Sequence, residues 1–93
     1  MHTSYDDKLL DYYCHYCEMA IWLKKIIAQS SPRHVITIQD IAEEFISERN
    51  RILQYIPVER RKALRRKMNK VALGFYSKVS GWSKKQNITV DMV

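Results

Sequence analysis

Residues 59–81 read ERRKALRRKMNKVALGFYSKVSG, and how far a helical repeat runs through this stretch decides the fold. Leu64, Met68, Val71 and Ala72 recur at the three- and four-residue spacing of a buried helical face, which leaves Lys62, Arg65, Arg66, Asn69 and Lys70 across the outer face. Just upstream, Pro57 suits a helix start, and Glu59 complements the positive N-terminal end of the helix dipole. Downstream, Gly74 fits the left-handed position that commonly ends a helix, after which Phe75, Ser77 and Val79 alternate with Tyr76 and Lys78. The spacing predicts a helix over 58–73 and then a strand. Phe75, Val79 and Trp82 also keep helical spacing, so an all-α chain with a long third helix is the alternative. Gly74 favours the strand.

Reading outward toward the C-terminus, Ile88, Val90 and Met92 alternate with Thr89 and Asp91 in a second strand pattern. Residues 80–87, SGWSKKQN, then read as the tip of a β-hairpin, with Gly81 available for a positive backbone angle and Trp82 exposed for a nucleic-acid or partner contact. Toward the N-terminus, residues 38–50 form a helix with Ile38, Ile41, Ala42, Phe45 and Ile46 inward and Glu43, Glu44 and Glu48 on the polar side. Residues 35–38 are β-branched enough for a short strand, and Thr37 with Asp40 resembles a capping box in which the hydroxyl satisfies a free amide. A long first helix over residues 5–29 places Leu9, Tyr13, Tyr16, Ala20, Leu23 and Ile27 on one face, flanked by Tyr12, Cys17, Met19 and Ile26, with Trp22 near the polar side. Pro32 ends it.

The 93 residues suffice for one domain spanning 1–93, and 46% apolar with 11% aromatic residues give it enough surface to fold. No apolar run approaches the roughly 20 residues of a membrane span, and the N-terminal sequence lacks the basic-then-apolar order of a secretory signal. The expected location is intracellular, cytoplasmic or on the nucleoid, with no membrane partner. The net charge of +6 is unevenly placed. Residues 1–48 hold four basic against eight acidic side chains, whereas residues 49–85 hold twelve basic residues against Glu59 alone. Such segregation favours a polyanionic partner.

The order of helix, short strand, helix, basic helix and terminal hairpin resembles a winged helix-turn-helix domain, carried by ITIQDIAEEF at residues 36–45 and by the stretch quoted above. The fold class expected is mainly α with a small hairpin (α+β). Residues 50–56 depart from the family in making a longer connection than its three- or four-residue turn. The resemblance implies that the third helix enters the major groove while the hairpin touches the neighbouring backbone. The residues agree with that independently, because Arg61, Arg65 and Asn69 run one turn apart and suit guanine and adenine edges. They are the candidate base contacts. Arg60, Lys62, Arg66, Lys70, Lys84 and Lys85 are the candidate backbone contacts.

The surplus aromatic surface of the first helix suggests a homodimer through Tyr12, Tyr16, Met19 and Trp22. The expected function is that of a dimeric, sequence-specific regulator of transcription on double-stranded DNA. The alternatives are a non-specific nucleic-acid architectural protein and an adaptor whose basic helix meets an acidic protein. A Cys14-x-x-Cys17 pair with His2 or His34 has the elements of a zinc site, but no second pair completes the pattern and helix packing explains the cysteines better. No cofactor, metal or small-molecule substrate is expected. No nucleophile–base constellation appears, so the chain does not read as an enzyme.

Overall fold

The computed structural model describes residues 5–31, 33–85 and 88–92. In chain order it contains α1 (Tyr5–Ser30), β1 (Ile36–Thr37), α2 (Ile38–Leu53), α3 (Val58–Ser80), α4 (Trp82–Lys85) and β2 (Val90–Asp91). Asp6 and Asp7 stand in the first turn of α1, where negative charge complements the helix dipole. At the other end Ser30 donates its hydroxyl to the carbonyl of Ile26 at 2.9 Å. The buried stripe of α1 runs through Tyr13, Cys17, Ile21 and Ala28. Leu23 and Ile27, read from spacing as inward, are 52% and 50% exposed instead. In a wide apolar stripe, periodicity fixes that one side is buried but not where its centre falls. The choice of centre follows from α2 and α3, which close over Cys17 and Ile21.

Thr37 caps α2 with an extended backbone (φ −103°, ψ 129°), but its hydroxyl makes no bond to a free amide. It donates to the Asp40 carboxylate instead. The helix then continues three residues beyond the expected Asn50, because Ile52 and Leu53 join Ile41 and Phe45 in the core. Only residues 54–57 remain to connect α2 with α3, so the long connection expected from the sequence is a four-residue turn. Arg61 closes it by donating through Nε to the Ile56 carbonyl at 2.7 Å and through Nη2 to the Gln54 carbonyl at 3.3 Å.

The terminal hairpin, and with it the winged helix-turn-helix order, is overturned. α3 runs unbroken through Gly74 to Ser80, and of the residues expected in a strand Phe75, Tyr76 and Val79 pack on its core side while Ser77 and Lys78 are exposed. Phe75 meets Phe45 edge-on at 6.3 Å between ring centroids, Tyr76 stacks on Phe45 at 5.5 Å, and Val79 is fully buried. A glycine inside a helix costs about 1 kcal/mol relative to alanine, while burying one valine or aromatic side chain contributes about 1.5–3 kcal/mol. Packing outweighs the local signal. Gly81 keeps a right-handed φ of −72°, so the positive angle expected there is absent. Trp82 begins α4 and is only 6% exposed, not a solvent-facing tip.

The second strand does exist in part, but its partner is β1. Ile36 pairs with Val90 and Thr37 with Asp91 in a parallel two-stranded sheet, and the Ile36 amide donates to the Thr89 carbonyl at 3.0 Å. Adjacent strands in a hairpin are antiparallel, whereas here two full helices intervene and return the chain in the same direction. The structure is therefore mostly helical with one minimal sheet. The extents of 45 × 28 × 17 Å leave room for two helix layers and no third, so each long helix keeps one side outside the core.

Candidate nucleic-acid interface

The inner side of α3 is set by Leu64, Met68, Ala72 and Val79, all buried. The opposite side follows from helical geometry. Lys62, Arg66 and Lys70, four residues apart, form a line that rises about 12 Å along the axis, with Arg65 and Lys67 on its flanks. All five are exposed, and none makes a hydrogen bond or ion pair with another described residue. Apart from Glu59 in the first turn of α3, the acidic side chains lie elsewhere. Glu44 pairs with Lys24 of α1 at 2.8 Å, and Glu48 is held by Arg51 and by the Tyr12 hydroxyl at 2.6 Å. Arg51, hydrogen-bonded to Glu48, holds that carboxyl below its ordinary range against the opposing effect of burial, and Tyr12 assists. The bond to Glu48 in turn raises the Tyr12 phenol, with burial adding to the effect. The exposed side of α3 thus stays basic, while Glu44 and Glu48 are neutralised along the edge where α1 meets α2.

The candidate base contacts separate. Arg65 projects free, whereas Arg61 is half-buried and engaged by the α2–α3 turn. Asn69 accepts a hydrogen bond at its Oδ1 from Arg49 Nη1 at 2.8 Å, which leaves its amide NH₂ as a donor not engaged by another described residue. Arg49 was missed as a site residue. The charge inventory counts it in the basic segment, but only the packing of α2 beside α3 places it against Asn69. Among the backbone candidates, Arg60 is paired with Asp6 of α1 at 3.1 Å. Lys62, Arg66 and Lys70 share the exposed line, and Lys84 and Lys85 lie on α4 beyond the far end of α3. Trp82, expected at a tip, packs beneath Lys25, whose Nζ lies 5.5 Å from the ring centroid.

Of the residues assigned to a dimer surface, Met19 and Trp22 are 54% and 53% exposed, Tyr16 is half-buried, and Tyr12 is exposed but tied to Glu48. Leu23, Ile26 and Ile27 extend the same outer surface of α1. Cys14 and Cys17 are free thiols, half-buried and buried respectively, and burial pushes the Cys17 thiol up to about 12. Among the described residues no group of three His, Cys, Asp or Glu side chains gathers to hold a metal; His2, the other possible ligand, lies outside them. Nor is any described helix long and apolar enough to cross a membrane. No protein-family model, curated protein or solved structure matches the chain.

Proposed function

We propose that this protein binds double-stranded DNA through the exposed side of α3, with affinity dominated by backbone phosphates. The observation that carries this reading is the set Lys62, Arg65, Arg66, Lys67 and Lys70, five cations on one helix with no described acidic partner. Like charges one turn apart repel, and no described carboxylate pairs with these five, Glu59 being the one acidic residue on α3, so a polyanion is the partner that relieves the repulsion. The major groove, about 12 Å wide, admits one α-helix. Arg65 reaches base edges from this side, with the Asn69 amide beside it as the second reader. A dimeric regulator of transcription is the form this takes if base reading is strong.

A second reading, non-specific architectural binding, is favoured by the fate of Arg61 and Asn69, one consumed by the turn and the other shared with Arg49. Selection of bound duplexes from a random pool, followed by competition against bulk DNA at fixed salt, separates the two. A specific regulator retains a consensus sequence with at least about a thousandfold preference, and an architectural protein shows none. Absence of salt-dependent duplex binding refutes both.

For assembly, the partner proposed for α1 is a second copy of the chain. Tyr12, Tyr16, Met19, Leu23 and Ile26 follow the alternating four- and three-residue spacing of a two-helix seam, and no charged side chain interrupts that line. Because α3 packs on the opposite side of α1, such a dimer leaves both basic helices uncovered. Sedimentation at micromolar concentration is expected to show a dimer that Met19→Glu with Trp22→Glu converts to a folded monomer. A monomeric wild-type protein, alone and on DNA, overturns it.

A further inference from the structure

Beyond Lys70 the same four-residue spacing leads to Gly74 and then Lys78, both exposed, and the row turns by about 40° a step from the outer side of α3 toward the side that borders α1. Gly74 is in mid-helix, and a Cβ placed there meets nothing within 4 Å, so neither a turn nor a close approach inside the fold calls for glycine. It is the poorest helix former after proline, and a surface glycine of this kind suits close approach of another molecule to the helix backbone. The hollow around it, about 240 Å³, is lined by Cys14, Lys70, Val71, Gly74, Phe75 and Lys78.

Lys78 also borders the next hollow along, about 310 Å³, together with Lys25, Ser77, Gly81, Trp82 and Lys85. Three lysines, from α1, α3 and α4, therefore border one depression beside a buried tryptophan. None of the three is paired with a carboxylate among the described residues. Lysine is a compact charge with three donors, suited to a phosphate oxygen, and the serine hydroxyl adds a neutral donor.

We infer that the nucleic-acid track continues past the basic half of α3, over Gly74, to a second phosphate seat formed by Lys25, Lys78 and Lys85 around Trp82. This rests on the reading of α3 as a duplex-binding helix, and its ligand is the phosphodiester backbone of the same duplex. From Lys70 to Lys78 the helix rises about 12 Å, the axial length of about three to four base pairs, while the row turns by about 80° toward α1. The glycine gap lets the backbone pass close to α3 between the two lysine groups.

The test uses the full chain and a 20-base-pair duplex, with affinity measured across a salt series. Lys78→Gln with Lys85→Gln is expected to lower the slope of log affinity against log salt by about 1.8, the equivalent of two lost phosphate contacts. Lys25 is left in place because it packs on Trp82. Gly74→Gln is expected to raise the melting temperature by a few degrees and to weaken duplex binding at least about fivefold. A merely structural glycine gives the first change without the second. An unchanged slope in the Lys78/Lys85 variant, or unchanged affinity in Gly74→Gln, overturns the extended track. If Lys62→Gln with Arg66→Gln still lowers the slope in that case, the reading of α3 itself stands. If the wild-type protein binds no duplex in a salt-dependent manner, that reading fails and the second seat fails with it.

Discussion

Replacing Lys62, Arg66 and Lys70 together by glutamine removes three cations from the exposed side of α3 without touching its packed side. Glutamine forms helix about as well as lysine and arginine, and the three native side chains have no described partner to lose, so thermal stability is expected to stay within about 0.5 kcal/mol of wild type. Binding should change far more. Each neutralised phosphate contributes about 0.9 to the magnitude of the salt slope, so three lost contacts lower it by about 2.7. The same relation makes the variant about 500-fold weaker at 0.1 M salt and brings it level with wild type near 1 M. Fluorescence anisotropy on a labelled duplex, repeated over several salt concentrations, measures both quantities. Because phosphates carry no sequence information, the loss should be the same on selected and random DNA. A variant that binds more weakly by a constant factor at every salt concentration would refute the reasoning, since it would show that these side chains do not displace counterions.

Trp82→Ala is expected to destabilise the fold by about 3–5 kcal/mol in denaturant titration, as befits a side chain 6% exposed; a near-neutral effect would mean that the residue does not belong to the core. Glu48→Gln should cost about 1–3 kcal/mol through its bonds to Arg51 and Tyr12. The pH dependence has a definite sign. Glu48 has a lowered pKa in the folded protein, so its stabilisation is present above the ordinary carboxylate range and is lost as pH falls through the folded value. Melting curves from pH 7 to pH 3 should therefore fall less steeply in Glu48→Gln than in wild type, and parallel falls would count against the assignment. Iodoacetamide at pH 8 should label Cys14 in the native protein and spare Cys17, whose thiol is buried and pushed up to about 12; equal labelling by mass spectrometry would contradict the burial.

Residue chemistry alone determined several features. Periodicity marked α1, α2 and the first half of α3, and Pro57 located the start of α3 because proline has no amide to satisfy and a backbone angle already suited to a helix. Charge counting found the basic segment, since Lys62, Arg65, Arg66, Lys67 and Lys70 lie on one helix, although folding pairs Arg51 and Arg60 of that segment with Glu48 and Asp6. Local signals failed where two rhythms were superimposed. Phe75, Val79 and Trp82 fit helical spacing while residues 75–79 also alternate as a strand, and Gly74 weighted the choice the wrong way by about 1 kcal/mol.

Only the tertiary structure decided between them, because the ring of Phe45, thirty residues upstream of Phe75, is what makes a continuous helix worth more than a turn. The same is true of the candidate site. That Lys62, Arg66 and Lys70 share a face is a property of one helix and was legible in the sequence. That Arg61 is consumed by carbonyls of the preceding turn, that Arg49 holds Asn69, and that Lys25 of α1 meets Lys78 and Lys85 over Trp82 depends on which helices lie side by side. The last two contacts join residues distant along the chain, and the first depends on the path of the turn, so no local spacing encodes them.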